Sequence, residues 1–191
     1  YGLRECGIET EWVLAMDADY WIPDTLADEI QQKLKQNQNE INAYWLHFYY
    51  AILGKRIRSG IYPPVQSLYR RTKAVYEYDG HTQRVRVEGK SGTLTHKAVH
   101  DDRKPFSRWL QSQNSYAELE ADFLLQKKNA DKLDKRQDRW RINRKWTPVL
   151  MLFYCIFIRR GWRDGLHGWL YAFQRMIAET LLQYHLILKK R

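Results

Sequence analysis

Cysteine is nearly absent from this 191-residue chain: Cys6 and Cys155 are the only two, and they stand far apart. Such a pair supplies neither a disulfide framework nor the closely spaced ligands of a zinc site, and a reducing compartment is the natural reading. Long uncharged stretches near the C-terminus are also lacking. Residues 148–158 form an uncharged run of eleven, too short to cross a bilayer as a helix, which takes about 20 residues. Acidic residues are in the minority, 22 against 32 Lys and Arg, which leaves a net charge of +10. That excess points to an anionic partner: nucleic acid, nucleotide phosphates or an acidic membrane leaflet. No zinc-finger, RRM or KH signature accompanies it, which speaks against a nucleic-acid-binding module. No secretory leader is visible, and the chain opens at Tyr1 without an initiator Met. The expectation is a fragment of a longer protein in which residues 3–8 close a helix.

Aromatic residues, by contrast, are abundant. Eight Trp and thirteen Tyr contribute to an aromatic fraction of 14%, and the hydrophobic fraction of 44% is enough for a core. Trp and Tyr pair an apolar face with a polar tip, which suits surfaces that meet sugars, bases or membrane interfaces. The length allows one ordinary domain plus an appendage.

The most informative stretch is residues 12–19, Trp-Val-Leu-Ala-Met-Asp-Ala-Asp, an apolar run that ends in two carboxylates. The run at residues 12–17 reads as a buried strand. Two residues apart on extended backbone, Asp17 and Asp19 point the same way and can share a hard cation, Mg²⁺ or Mn²⁺. The plain alternative is a strand that ends in a solvated Asp-rich turn.

Beyond it, Pro23-Asp24 opens a helix with Leu26, Ile30 and Leu34 at four-residue spacing over residues 25–35. Residues 41–53 are aromatic and β-prone, residues 54–64 are basic loop, and short strands are predicted at 65–70, 74–78, 84–88 and 93–96. A helix follows from Pro105, with Trp109, Gln113, Tyr116, Glu120 and Phe123 on one face. Residues 127–145 carry nine basic and three acidic side chains. After the Gly161–Gly165 turn comes an amphipathic helix. Its stripe is Leu166, Leu170, Phe173, Ile177, Leu181, Tyr184 and Leu188, with Arg175 and Glu179 paired on the opposite side. A basic run beside such helices fits a peripheral membrane anchor, although helices packed on a core would look the same.

Taken in order, these motifs resemble family-2 glycosyltransferases of GT-A fold. The resemblance is carried by Glu11-Trp-Val-Leu-Ala-Met-Asp-Ala-Asp19, the Pro23-led helix, the aromatic strand and the Gly60–Arg71 segment. It continues through Asp79-Gly80-His81, Val87-Glu88-Gly89, His100, the Trp109–Tyr116 helix and Gly161-Trp-Arg-Asp-Gly165. The order is similar to a bacterial branch that adds sugars to lipopolysaccharide core or other envelope glycans.

The resemblance implies an α/β fold with a GT-A-like mixed sheet flanked by helices. A catalytic part is implied at residues 1–128, and a basic, helical, membrane-associating region at 129–191. It further implies inverting, metal-dependent transfer from a nucleotide-sugar donor, UDP-linked, to a hydroxyl of a lipid-linked glycan acceptor. The enzyme would sit in the cytoplasm on the inner face of the bacterial membrane, and the first nucleotide-binding strands would precede Tyr1. Two positions depart from the pattern: Tyr20 stands where many relatives have Glu, and Thr82 stands where the catalytic Glu is expected.

The roles follow from what such transfer needs. Asp17, Asp19 and His100 are the metal candidates. Asp79, Asp102 and Asp101 are candidate bases in place of Thr82, with His81 beside them. Arg70, Arg71, Arg84 and Arg103 are candidates to hold phosphate, where the planar guanidinium fork suits the geometry. Trp45, Tyr49, Tyr62 and Trp109 are candidates to stack on sugar faces. His96 lies between His81 and His100 at a spacing that fits no standard ligand pattern. A basic nucleic-acid-binding module and a catalytically inactive membrane-surface adaptor remain the competing readings.

Overall fold

The computed structural model describes residues 7–36, 40–79, 82–133 and 135–190. Two compact units emerge. One comprises residues up to 51 with 61–78 and 83–102; the other comprises 52–60, 79–82 and the chain from 103 onward. The fold is mixed α/β, with a six-stranded mixed sheet and five α-helices among the described residues.

The first unit is built on β1 (Trp12–Leu14), β2 (Tyr20–Trp21), α1 (Asp24–Gln36) and β3 (Ile41–Ile52). Next come β4 (Lys55–Ile57), which falls in the second unit, and then β5 (Val65–Arg70), β6 (Ala74–Asp79), β7 (Thr82–Val87) and β8 (Lys90–His100). The sheet order is β1-β5-β3-β8-β2, with β4 paired to β3, while β6 and β7 form a separate two-stranded sheet. β3 runs parallel to β8, and the β1–β5, β3–β5 and β2–β8 pairs are antiparallel.

Alternation along β3 explains the core. Tyr44, Leu46 and Phe48 turn to one face and meet Leu68, Leu94 and Ala98 there. Leu26 of α1 is fully buried on that face, with Ile30 and Leu34 packed beside it, as the four-residue spacing predicts.

One irregularity in β8 has a specific remedy. Its pairing with β3 jumps from Trp45↔Thr93 to His47↔Lys97, so residues 94–96 bulge out of the ladder. The backbone N–H groups of Thr95 and His96 donate instead to the Glu29 carboxylate of α1, both at 2.8 Å, and the His96 ring lies 2.9 Å from it. Burial pushes the Glu29 carboxyl up, but these hydrogen bonds outweigh it and hold the pKa below the ordinary 4.5. A depressed carboxylate stabilises the fold above its unfolded pKa and loses that contribution as pH falls through the folded value. Glu29→Gln is therefore expected to cost about 1–3 kcal/mol at neutral pH. The difference from wild type should shrink in melting curves taken between pH 6 and pH 3.

Some expectations are corrected. The buried strand at residues 12–17 is a three-residue edge strand, only partly buried, followed by irregular chain. β8 extends from Lys90 to His100, well beyond residues 93–96, because its parallel ladder with β3 carries the polar Thr-His-Lys stretch. The helix closing at residues 3–8 falls mostly outside the described residues.

The second unit holds α2 (Phe106–Asn129), α3 (Arg136–Asn143), α4 (Thr147–Phe153) and α5 (Leu166–Lys189). A single π turn, Tyr154–Ile158, extends α4, and a 3₁₀ turn, Gly161–Asp164, leads into α5. α2 buries Ala117, Ala121 and Leu124 against Leu182 and Leu186 of α5, so small residues set much of its packing face. Gly168 is required in α5: a Cβ there would sit 2.0 Å from the Gly161 carbonyl oxygen.

A further correction concerns the partner of Glu179 in α5. Leu166, Phe173, Tyr184 and Leu188 of the apolar stripe face outward, while Tyr171, Ala172, Glu179, Leu182, Gln183 and Leu186 are buried. Glu179 pairs with Arg141 of α3 rather than with Arg175. Among the described residues, no helix is long and apolar enough to cross a membrane.

Candidate metal centre

β2 and β8 bring the chemistry together at one end of the sheet. Tyr20 pairs with His100 across β2–β8, and Tyr50 pairs with His100 across β3–β8. Directly paired residues share a face, so His100 is flanked by two tyrosines. Tyr62, from the loop before β5, completes the wall. Its ring centroid is 4.7 Å from that of His100, with Tyr50 at 4.9 Å and Tyr20 at 5.2 Å. The Tyr20 and Tyr62 hydroxyls share a hydrogen bond of 2.6 Å. Burial pushes the Tyr20 phenol far up, reinforced by the Tyr62 hydrogen bond and the nearby Asp17 charge, so it stays protonated at any ordinary pH.

The turn between β1 and β2 delivers Asp19 to the same place. Tyr20 N–H donates to the Asp17 carbonyl at 3.0 Å, and Asp101 N–H donates to the Asp19 carbonyl at 3.0 Å, which ties this turn to the end of β8. Asp19 Oδ2 then lies 3.3 Å from His100 Nε2. Asp102, two residues past His100, adds a second carboxylate: one ligand atom from each of Asp19, His100 and Asp102 falls within 4.8 Å of the others. His100 Nδ1 is buried and has no hydrogen-bond partner. A buried ring nitrogen left that way costs about 1–3 kcal/mol.

Comparison with family models, curated proteins and solved structures found no match. The site must be judged on its own geometry.

Of the three metal candidates, Asp19 and His100 are brought together, and Asp102, expected as a base, joins them. Asp17 is exposed and lies outside the group. Asp101 sits beside the triad, its backbone engaged with Asp19. Asp79 ends β6 with its side chain outside the described part; His81 and the Arg84 side chain also lie outside it.

The candidate arginines have local partners. Arg70 is buried, forms an ion pair with Glu11 and covers the Trp12 ring at 4.9 Å. Arg71 donates to the Thr10 carbonyl at 3.3 Å. The Arg103 guanidinium lies against Gly54 in the second unit. Trp109 is buried and stacked on Phe106, whereas Trp45 and Tyr49 remain partly exposed on β3, the latter under Lys97. His96 serves Glu29 and stands apart from His100.

The sequence marks Tyr20 only as a departure from the family pattern after Asp19, and Tyr50 only as part of the aromatic strand; a two-residue strand carries no periodicity that would place Tyr20 against His100.

Proposed function

We propose that the protein is a GT-A-type glycosyltransferase of the family-2 kind that binds a divalent cation at Asp19, His100 and Asp102. The observation that carries this reading is the convergence of one ligand atom each from Asp19, His100 and Asp102 to within 4.8 Å of one another. Carboxylates suit Mg²⁺ and Mn²⁺, and an imidazole in the set tilts the preference to Mn²⁺. A cation held there would offset charge growing on a departing diphosphate.

The remaining work falls to the chain's own groups. Tyr20, Tyr50 and Tyr62 fix the His100 ring and exclude water from one side of it. With Asp102 engaged as a ligand, Asp101 is the carboxylate left beside it to take the acceptor proton in place of Thr82. A UDP-linked donor and a lipid-linked glycan hydroxyl are the substrates this reading implies, with inversion at the sugar.

Titration of the protein with Mn²⁺, followed by loss of the free-ion spectrum in electron paramagnetic resonance, tests it. One ion should bind per chain. At a hundredfold excess over the dissociation constant the ion should stabilise the fold by about 2.7 kcal/mol. No uptake at millimolar Mn²⁺, with or without UDP, would remove the reading.

A further inference from the structure

We infer that the π turn after α4, together with the start of α5, forms a docking surface for an anionic lipid bilayer. The inference uses second-unit residues alone and stands independently of the metal site.

The apolar side chains here point outward. Phe153, Phe157, Ile158, Trp162, Leu166 and Trp169 are all exposed, Ile158 at 71% and Leu166 at 68%. They come from consecutive elements that pack on one another, and Phe153 stacks on Phe157 at 5.7 Å. Exposed aromatic and aliphatic groups clustered in this way mark an interaction surface.

Polar contacts hold the turn in this outward posture. Arg159 donates to the Ser59 and Gly60 carbonyls at 3.5 and 2.9 Å. Asp164 accepts from the Arg58 and Ser59 N–H groups at 3.0 and 2.9 Å. Arg159 N–H bonds to the Tyr154 carbonyl, the wide i to i−5 closure that turns Phe157 and Ile158 away from the buried Cys155 and Ile156.

Charge decides the occupant. Residues 144–178 contain six basic side chains and one carboxylate, Asp164, and backbone donors already engage that carboxylate. Arg160 and Arg163 flank the apolar cluster and are exposed, with Arg163 over the Trp162 ring at 5.6 Å. A second copy joined through a two-fold axis would set these arginines against their own equivalents. A bilayer carrying acidic headgroups satisfies both parts: apolar side chains enter the acyl boundary, Trp rings settle at headgroup depth, and arginines meet phosphates. With no spanning helix among the described residues, the attachment is interfacial.

Flotation of the full chain with vesicles of phosphatidylcholine containing one-third phosphatidylglycerol, against pure phosphatidylcholine vesicles, tests the inference. Binding should require the acidic lipid. It should fall roughly fivefold for each of Arg160→Gln and Arg163→Gln, the effect of losing one charge at such a surface. Phe157→Ser with Ile158→Ser should reduce it by at least about tenfold, since two exposed apolar groups no longer enter the bilayer. These four side chains are exposed, and unchanged melting of the variants verifies the fold. The inference fails if wild type does not float with the acidic vesicles. It also fails if the Phe157/Ile158 variant floats like wild type, or if sedimentation shows this face consumed in a dimer that does not float.

Discussion

Asp19→Ala should lower sugar transfer by on the order of 10²–10³-fold, the range seen when one preorganised electrostatic partner of a reacting group is removed, and should abolish stoichiometric Mn²⁺ uptake. The fold should survive, because the Asp19 backbone carbonyl keeps its bond to Asp101 N–H whatever the side chain. Asp17→Ala provides the contrast. Asp17 is exposed and outside the triad; its backbone carbonyl accepts from Tyr20 N–H, and its carboxylate also accepts from the Tyr20 hydroxyl. Its replacement should change transfer less than about tenfold, well below the Asp19 effect. If the two variants behave alike, the triad is not the reacting centre, and the Asp-Ala-Asp turn acts through both carboxylates or through neither. His100→Ala tests the same point from β8: it removes a ring packed among three tyrosines, so part of its effect would appear as lost stability. His100→Asn, which keeps polar capacity in less volume, is the milder companion, and Mn²⁺ affinity is the readout that separates coordination from packing.

The contrast between Asp17 and Asp19 also marks how far the sequence could be read. Local signals carried α1, whose Leu26, Ile30 and Leu34 face the core as spaced, and β3, whose aromatic, β-prone composition announces one long strand. They failed where tertiary pairing overrides local pattern. Two residues are too few for β2 to announce itself, yet that strand places Tyr20 against His100. β8 continues through Thr95, His96 and Lys97 because α1 supplies Glu29 to the displaced N–H groups, a compensation no window of β8 contains. Of the site, Asp19 and His100 were legible as residue types that bind hard cations. Asp102 was legible only as a carboxylate, since its neighbourhood with Asp19 depends on the β2–β8 ladder. Arg70 looked like a phosphate ligand, but the Trp12 ring and Glu11 occupy it.

The second unit yields the largest expected stability change. Glu179→Ala should cost about 3–5 kcal/mol, the range for removing one partner of a buried ion pair. For a chain of this size that corresponds to a fall in melting temperature of roughly 10 °C. Helical periodicity sets Glu179 opposite the apolar stripe of α5; the carboxylate is 3% exposed and faces Arg141, whose Nε donates at 3.0 Å to Oε1 and 3.3 Å to Oε2. Glu120 approaches the same guanidinium at only 3.8 Å, too far to replace that carboxylate. Truncating Glu179 therefore strands a positive charge between α2, α3 and α5.

The cost arises from the orphaned partner more than from the lost attraction, which gives the prediction a second arm. Arg141→Met combined with Glu179→Leu should recover most of the loss, because two apolar side chains fill the space without leaving a charge to desolvate. The backbone link from Gln183 Nε2 to the Arg141 carbonyl, 2.7 Å, persists in either variant and keeps α3 in register with α5. Urea midpoints of the wild type, both single variants and the double variant give the coupling directly. A Glu179→Ala loss below about 1 kcal/mol would class the pair with exposed salt bridges. It would then be apolar packing by Leu182 and Leu186, not ion pairing, that fixes which face of α5 turns inward and leaves Leu166 and Trp169 at the surface.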